Sequence, residues 1–130
     1  MDGDAHRETL GTASAVGVHW LVDCHGVDAA KLASADFLRC ALREAAGAAG
    51  ATILFDHFHD FGGTAGAAAG VTGVVLLAES HATIHTWPAT GFAAIDLFLC
   101  GPTEPERAIA SIESSLVPVR MAVRREARGV

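Results

Sequence analysis

Along this chain the hydrophobic positions switch between two periods, and the switches mark out its elements. Val16 to Asp23 (Val-Gly-Val-His-Trp-Leu-Val-Asp) concentrates β-branched and aromatic residues in a short run and predicts a first strand. Ser34 to Ala46 then sets Phe37, Leu38, Ala41, Leu42 and Ala45 at the spacing of an amphipathic helix, with Gly47 and Gly50 as stop signals. Ala51 to Phe55 predicts a second strand, running into the polar stretch Asp56-His57-Phe58-His59-Asp60. Gly62 to Gly70 contains only Gly, Ala and one Thr. With no side chains to pack, it is expected to be a loop. Val71 to Ala78 is continuously apolar, as in a strand covered on both faces, and His81 to Thr86 also favours extended backbone. After a turn around Pro88 and Gly91, Phe92 to Leu99 forms another apolar run.

Thr103-x-x-Glu106, with Pro105 in the first turn, has the pattern of a capping box and predicts a second helix to about Leu116. Val117, Val119, Met121 and Val123 alternate with Pro118, Arg120 and Arg124, giving a final half-buried strand. The order is strand, helix, three or four strands, helix, strand. It predicts an α+β fold, a two-layer α/β sandwich with two helices on one face of a mostly antiparallel sheet. A length of 130 residues fits one domain, and 51% hydrophobic residues are enough to fill its core.

Charge and composition remove several function classes. A net charge of −6, from 15 acidic and 9 basic residues, offers no positive footprint for nucleic acid. The one basic cluster, Arg120, Arg124, Arg125 and Arg128, reads as a solvated tail and strand face. No apolar stretch reaches the ~18–20 residues of a membrane span. Met1-Asp2-Gly3-Asp4 is the opposite of a basic leader, so a soluble cytoplasmic protein is expected. Cys24, Cys40 and Cys100 are an odd set without CxxC spacing, which argues against a disulfide scaffold and a thiolate zinc site. Cys40 reads as core on the apolar helix face, and Cys24 ends a strand.

Chemistry concentrates in Ala78-Glu-Ser-His-Ala-Thr-Ile-His-Thr-Trp-Pro88, where a hydroxyl and two imidazoles interrupt a strand-like run. In extended chain His81 and His85 share a face but stand about 13 Å apart, too far to bind one metal ion. Their β-branched neighbours disfavour the helix that would bring them together, and His57 and His59 add little, so no metal is expected. A hydrolase is disfavoured by the lack of a G-x-S-x-G elbow.

Gly70 to Pro88 (Gly-Val-Thr-Gly-Val-Val-Leu-Leu-Ala-Glu-Ser-His-Ala-Thr-Ile-His-Thr-Trp-Pro) and Gly91 to Gly101 (Gly-Phe-Ala-Ala-Ile-Asp-Leu-Phe-Leu-Cys-Gly) together resemble the bacterial S-adenosylmethionine decarboxylase proenzymes, a pyruvoyl-dependent family of polyamine biosynthesis. Weaker similarity runs back through Gly50-Ala-Thr-Ile-Leu, Phe58-His59 and Leu21-Val-Asp, covering most of residues 16–125. The resemblance implies that the single domain, residues 1–130, cuts itself between Glu79 and Ser80 into chains 1–79 and 80–130. Ser80 Oγ would attack the Glu79 carbonyl in an N-to-O acyl shift. Loss of the Ser80 α-proton would then expel the Glu79 carboxylate, and the remaining dehydroalanine would hydrolyse to a pyruvoyl group.

The family's pattern further implies that this pyruvoyl carbonyl takes the substrate amine as a Schiff base and accepts the electron pair left when carbon dioxide departs. By position His85 matches the base for the elimination, and Thr72 matches a hydroxyl residue that helps stabilise the cyclic intermediate. Cys100 matches the residue that returns a proton to carbon. An ordinary thiol, with a pKa of about 8.5, carries that proton near neutral pH. Phe61 aligns with an aromatic that stacks on adenine. Relatives of this size resemble homodimers of four layers with active sites near the protomer interface.

Two positions depart from the pattern. Where relatives continue Trp-Pro with a glutamate assigned to the ribose hydroxyls, this chain has Ala89. Asp60 stands where relatives often carry a basic residue, and its carboxylate would suit a cationic amine. These departures keep a basic amino acid, L-ornithine or L-arginine, open as substrate. An unprocessed, non-catalytic homologue is the third reading.

Overall fold

A computed structural model of the protein describes residues 15–64 and 67–130; the acidic start Met1-Asp2-Gly3-Asp4 lies outside the described residues. The elements in chain order are β1 (Gly17–His25), α1 (Ala29–Leu32), α2 (Ala35–Ala48), β2 (Ile53–Asp60), β3 (Gly63–Thr64), β4 (Ala67–Ala68), β5 (Val71–Leu77), β6 (Ser80–Trp87), β7 (Phe92–Cys100), α3 (Pro105–Leu116) and β8 (Arg120–Arg128). A 3-10 turn, Pro88–Thr90, joins β6 to β7. Six strands form one sheet in the order β2-β5-β6-β7-β1-β8, and every neighbouring pair is antiparallel.

Strand alternation assigns the two faces of this sheet. Trp20, Val22 and Cys24 of β1 are in register with Leu97, Ile95 and Ala93 of β7, and all six are buried. Ala82 and Ile84 of β6 and Val71, Val75 and Leu77 of β5 continue the same buried surface. Leu38, Leu42 and Ala45 of α2 and Ala108, Ile112 and Leu116 of α3 complete this core. The opposite face carries His19, Leu21, His81, Thr83, His85 and Phe98, which are half-buried or exposed. The expected α+β sandwich is therefore present, with a fully antiparallel sheet.

Ser34 caps α2, its hydroxyl accepting from Phe37 N at 3.1 Å. Gly50, with φ +82°, takes the left-handed conformation that lets the chain leave that helix. The capping box expected at Thr103 does not form. Pro105 occupies the first helical position, and the residue before a proline is pushed towards extended backbone, so Glu104 (φ −119°, ψ 82°) becomes the cap with no side-chain hydrogen bond. Glu104 N instead donates to Ala49 O at 2.9 Å and ties the start of α3 to the end of α2.

Other expectations also change. The Gly62 to Gly70 stretch is not irregular throughout: Gly63–Thr64 pairs with Ala67–Ala68, Ala69 N donates to Gly62 O, and Phe61 N donates to Gly70 O. These bonds prolong the β2–β5 ladder, which needs only backbone, and Gly62 and Gly63 bend into it at φ +80° and +134°. Cys40 is exposed, about 200° round the helix from Leu38 and so opposite the core. The arginines of the last segment lie within β8, which runs to Arg128, rather than in a tail: Arg120, Arg124 and Arg128 share one face, and Arg125 lies on the other, over Trp20.

Candidate active site

Ser80 opens β6 immediately after a two-residue turn, Ala78-Glu79, closed by the pairing of Leu77 with Ser80. Ala78 N donates to Thr52 O at 2.9 Å and anchors the turn. Glu79 has φ +60°, a conformation that costs a residue with a side chain roughly 1–2 kcal/mol. That strain sits at the residue whose carbonyl forms the bond to Ser80. The serine is 8% exposed, and its Oγ accepts a hydrogen bond from Cys100 N at 3.1 Å. The hydroxyl and the half-buried cysteine, 20 residues apart in sequence, thus meet at one end of the sheet.

Thr72 and His85 meet elsewhere. They are register partners across β5 and β6, with Thr72 Oγ1 and His85 Nδ1 3.0 Å apart. When the hydroxyl donates, Nδ1 is the acceptor and Nε2 carries the imidazole proton. His85 is five positions beyond Ser80 on one strand, about 16 Å away, and the odd separation puts it on the opposite face. A single protomer brings Ser80 to Cys100 and Thr72 to His85, but not the two pairs together.

The His85 end opens into a cavity of about 530 Å3, walled by Phe61, Trp87 and Pro88 and also lined by Thr72 and Ala89. Trp87 stacks on Phe92 with ring centres 5.4 Å apart. Phe61 stands edge-on to His59 at 4.5 Å and leaves most of its surface open. Asp60 turns back on its own chain, its Oδ1 accepting from Gly62 N at 2.8 Å, and is absent from the cavity wall. Among the described residues no three His, Cys, Asp or Glu side chains converge as a metal ion would require.

Several residues of this region carry no signal in sequence. Thr86 is buried, accepts from Val71 N at 2.8 Å and donates to Leu32 O at 2.7 Å, fastening β6 to β5 and to α1 just before the cavity wall. Gly70 lies against the Thr86 carbonyl so closely that a methyl group there would overlap it. On the open face His19 Nε2 lies 3.2 Å from Asp96 Oδ1, and His81 stands beside them. Burial, and secondarily His19, push the His81 imidazole below its usual pKa, against a smaller opposing pull from Asp96. These contacts depend on strand register, which composition does not reveal.

The family model described as S-adenosylmethionine decarboxylase matches residues 18–129 of this chain. An S-adenosylmethionine decarboxylase proenzyme from Parasynechococcus marenigrum is 44% identical over 110 residues, spanning 84% of this chain and 82% of that protein. One from Aquifex aeolicus is 40% identical over 119 residues, spanning 91% and 84%. The crystal structure of the adenosylmethionine decarboxylase from Aquifex aeolicus superposes with a TM-score of 0.78 at 38% identity, covering 89% of this chain and 92% of that one. Similarity of this extent, with the family model covering most of the chain, means that the protein belongs to the S-adenosylmethionine decarboxylase family.

Proposed function

We propose that the chain is a proenzyme that cuts itself between Glu79 and Ser80 and then decarboxylates S-adenosylmethionine. The observation that carries this reading is the hydrogen bond from Cys100 N to Ser80 Oγ beside a left-handed Glu79. It holds the hydroxyl in one rotamer next to the bond it attacks, and cleavage releases the strain in Glu79. The Ser80 oxygen adds to the Glu79 carbonyl carbon as the amide nitrogen leaves, giving an ester. Removal of the Ser80 α-proton breaks the Cβ–Oγ bond and frees Glu79 as a carboxylate, and the dehydroalanine takes up water and loses ammonia.

Residue 80 fits a terminal pyruvoyl group, because β6 stays paired with β5 and β7 once the turn is cut and the new end is held in place. That group would supply the electrophilic carbonyl and electron sink for decarboxylation. Around it Cys100 Sγ holds the proton that replaces the lost carboxylate, and His85 takes the α-proton during maturation. The aromatic walls of the cavity suit a flat base joined to a sulfonium cation. The three unpaired thiols suit a reducing compartment, the cytoplasm. No helix among the described residues is long and apolar enough to cross a membrane.

The separation of Ser80 from His85 supports a homodimer whose site is completed by a second copy. Two open sheet faces stacked about 10 Å apart give four layers, and a two-fold axis between them brings the Ser80 end of one protomer to the His85 end of its partner. Intact mass tests the cleavage: fragments 1–79 and 80–130 are expected from the parent chain, and a single chain from Ser80→Ala. Release of carbon dioxide from S-adenosylmethionine, and not from ornithine or arginine, tests the substrate. Co-expression of Ser80→Ala with His85→Ala tests the shared site. Each alone stays uncut, and together they restore cleavage of the His85→Ala chain; absence of such rescue would defeat the dimer.

A further inference from the structure

We infer that Gly17 is a positioning residue for the Cys100 thiol. Its backbone is not in the left-handed region, so the conformation itself does not call for glycine. A glycine within a strand costs about 0.5–1 kcal/mol relative to alanine. The reason for it lies in what occupies the space above its Cα. A Cβ built there would meet Cys100 Sγ at 2.8 Å and Phe98 Cζ at 2.7 Å, closer than real Cβ atoms approach.

The surrounding backbone is paired on both sides. Gly17 pairs with Cys100 on one side and Arg128 on the other, so β1 is fixed between two neighbours. Cys100 is held again from the far side, where its N–H bonds Ser80 Oγ. With both main chains pinned, the side chain has only its single χ1 torsion, and the missing methyl at position 17 leaves open the well in which the sulfur rests. The atoms in the way are side chains, so alanine disturbs the thiol and the ring without breaking the ladder. This inference rests on the reading that Cys100 delivers a proton to carbon.

Gly17→Ala should still cut itself at the Glu79–Ser80 bond, since that step uses the Cys100 N–H and not the thiol, and should melt within a few degrees of the parent. Its kcat should fall by about tenfold to a hundredfold with KM nearly unchanged, the loss expected when a reacting group is misplaced by about 1 Å. Placement is read independently of activity with Gly17→Cys. Cross-strand partners lie within reach of a disulfide, so oxidised glutathione should link position 17 to Cys100. In cut protein that bond joins fragments 1–79 and 80–130 on a non-reducing gel, and peptide mass identifies it in either form. A Gly17→Ala enzyme with kcat within twofold of the parent, or no link to Cys100, overturns the inference. So does recovery of kcat when Phe98→Leu is added, because the ring would then be what glycine accommodates. Uncut parent protein would instead overturn the proposed function and leave the cross-link as the test of placement.

Discussion

Replacing Thr86 by valine keeps the volume and the β-branching and deletes one oxygen. That oxygen accepts from Val71 N at 2.8 Å and donates to Leu32 O at 2.7 Å, in a side chain 5% exposed, so water cannot take over either bond without opening the sheet from α1. Each orphaned backbone group costs about 1–3 kcal/mol. Because the two share one oxygen and relax together, the pair should cost about 2–4 kcal/mol. For a chain of this size 1 kcal/mol moves the melting temperature by roughly 3–5 °C, which predicts a drop on the order of 10 °C. The assay is thermal unfolding followed by circular dichroism at one fixed protein concentration, in a Ser80→Ala background so that every molecule is a single chain. Thr86→Ser keeps the hydroxyl and loses one methyl, and should cost only about 1 kcal/mol. A valine variant within about 0.5 kcal/mol of the parent, or a serine variant as unstable as valine, would refute the assignment of the stability to these two bonds.

Three further outcomes are expected. Ala89→Glu places on the cavity wall the carboxylate that the family pattern implies there, and should lower KM for S-adenosylmethionine by up to roughly a hundredfold with kcat little changed, as initial-rate kinetics will show. The His81 pKa is lowered by folding, so the unfolded chain takes up the proton first as pH falls below about 6.5. Stability should therefore be complete above that value and decline below it, and melting curves between pH 5 and 7 should flatten in His81→Gln. Burial, with Asp23 and Glu113 nearby, pushes the Cys24 thiol up to about 11. Iodoacetamide at pH 8 should then modify exposed Cys40 first and half-buried Cys100 more slowly, and reach Cys24 only in denaturant, read by peptide mass.

What the sequence made legible was whatever side-chain period governs. The helix at Ala35–Ala48 and the strands at Val71–Leu77 and Phe92–Cys100 follow from spacing, and with them the two-layer fold. What it hid depends on backbone or on register. The ribbon after Phe61 is held by main-chain bonds that a Gly/Ala composition cannot display. The start of α3 was shifted by the conformational pull of Pro105 on Glu104 against a plausible threonine cap. Cys40 was misplaced by its apolar character, although its angle round the helix points to solvent. At the site, the motif brought out Ser80, His85 and Cys100, and extended backbone along β6 is what separates the histidine from the serine, while the meeting of Thr72 with His85 depends on the register of β5 with β6.

The strand order has a last consequence for the life of the molecule. The proposed cut after Glu79 would give β1, β2 and β5 to one polypeptide and β6, β7 and β8 to the other, and in the sheet these are interleaved, with β1 clasped between β7 and β8. The two pieces cannot part without dismantling the sheet, so no covalent link is needed to keep them associated. Refolding, however, would change from a unimolecular event into a search by two strangers at finite concentration, for a product whose original seam could no longer be resealed. Under the proposed cut, maturation would work as a ratchet: the uncut chain could recover from melting, while the cut protein would carry its only copy of the folding instructions in two hands.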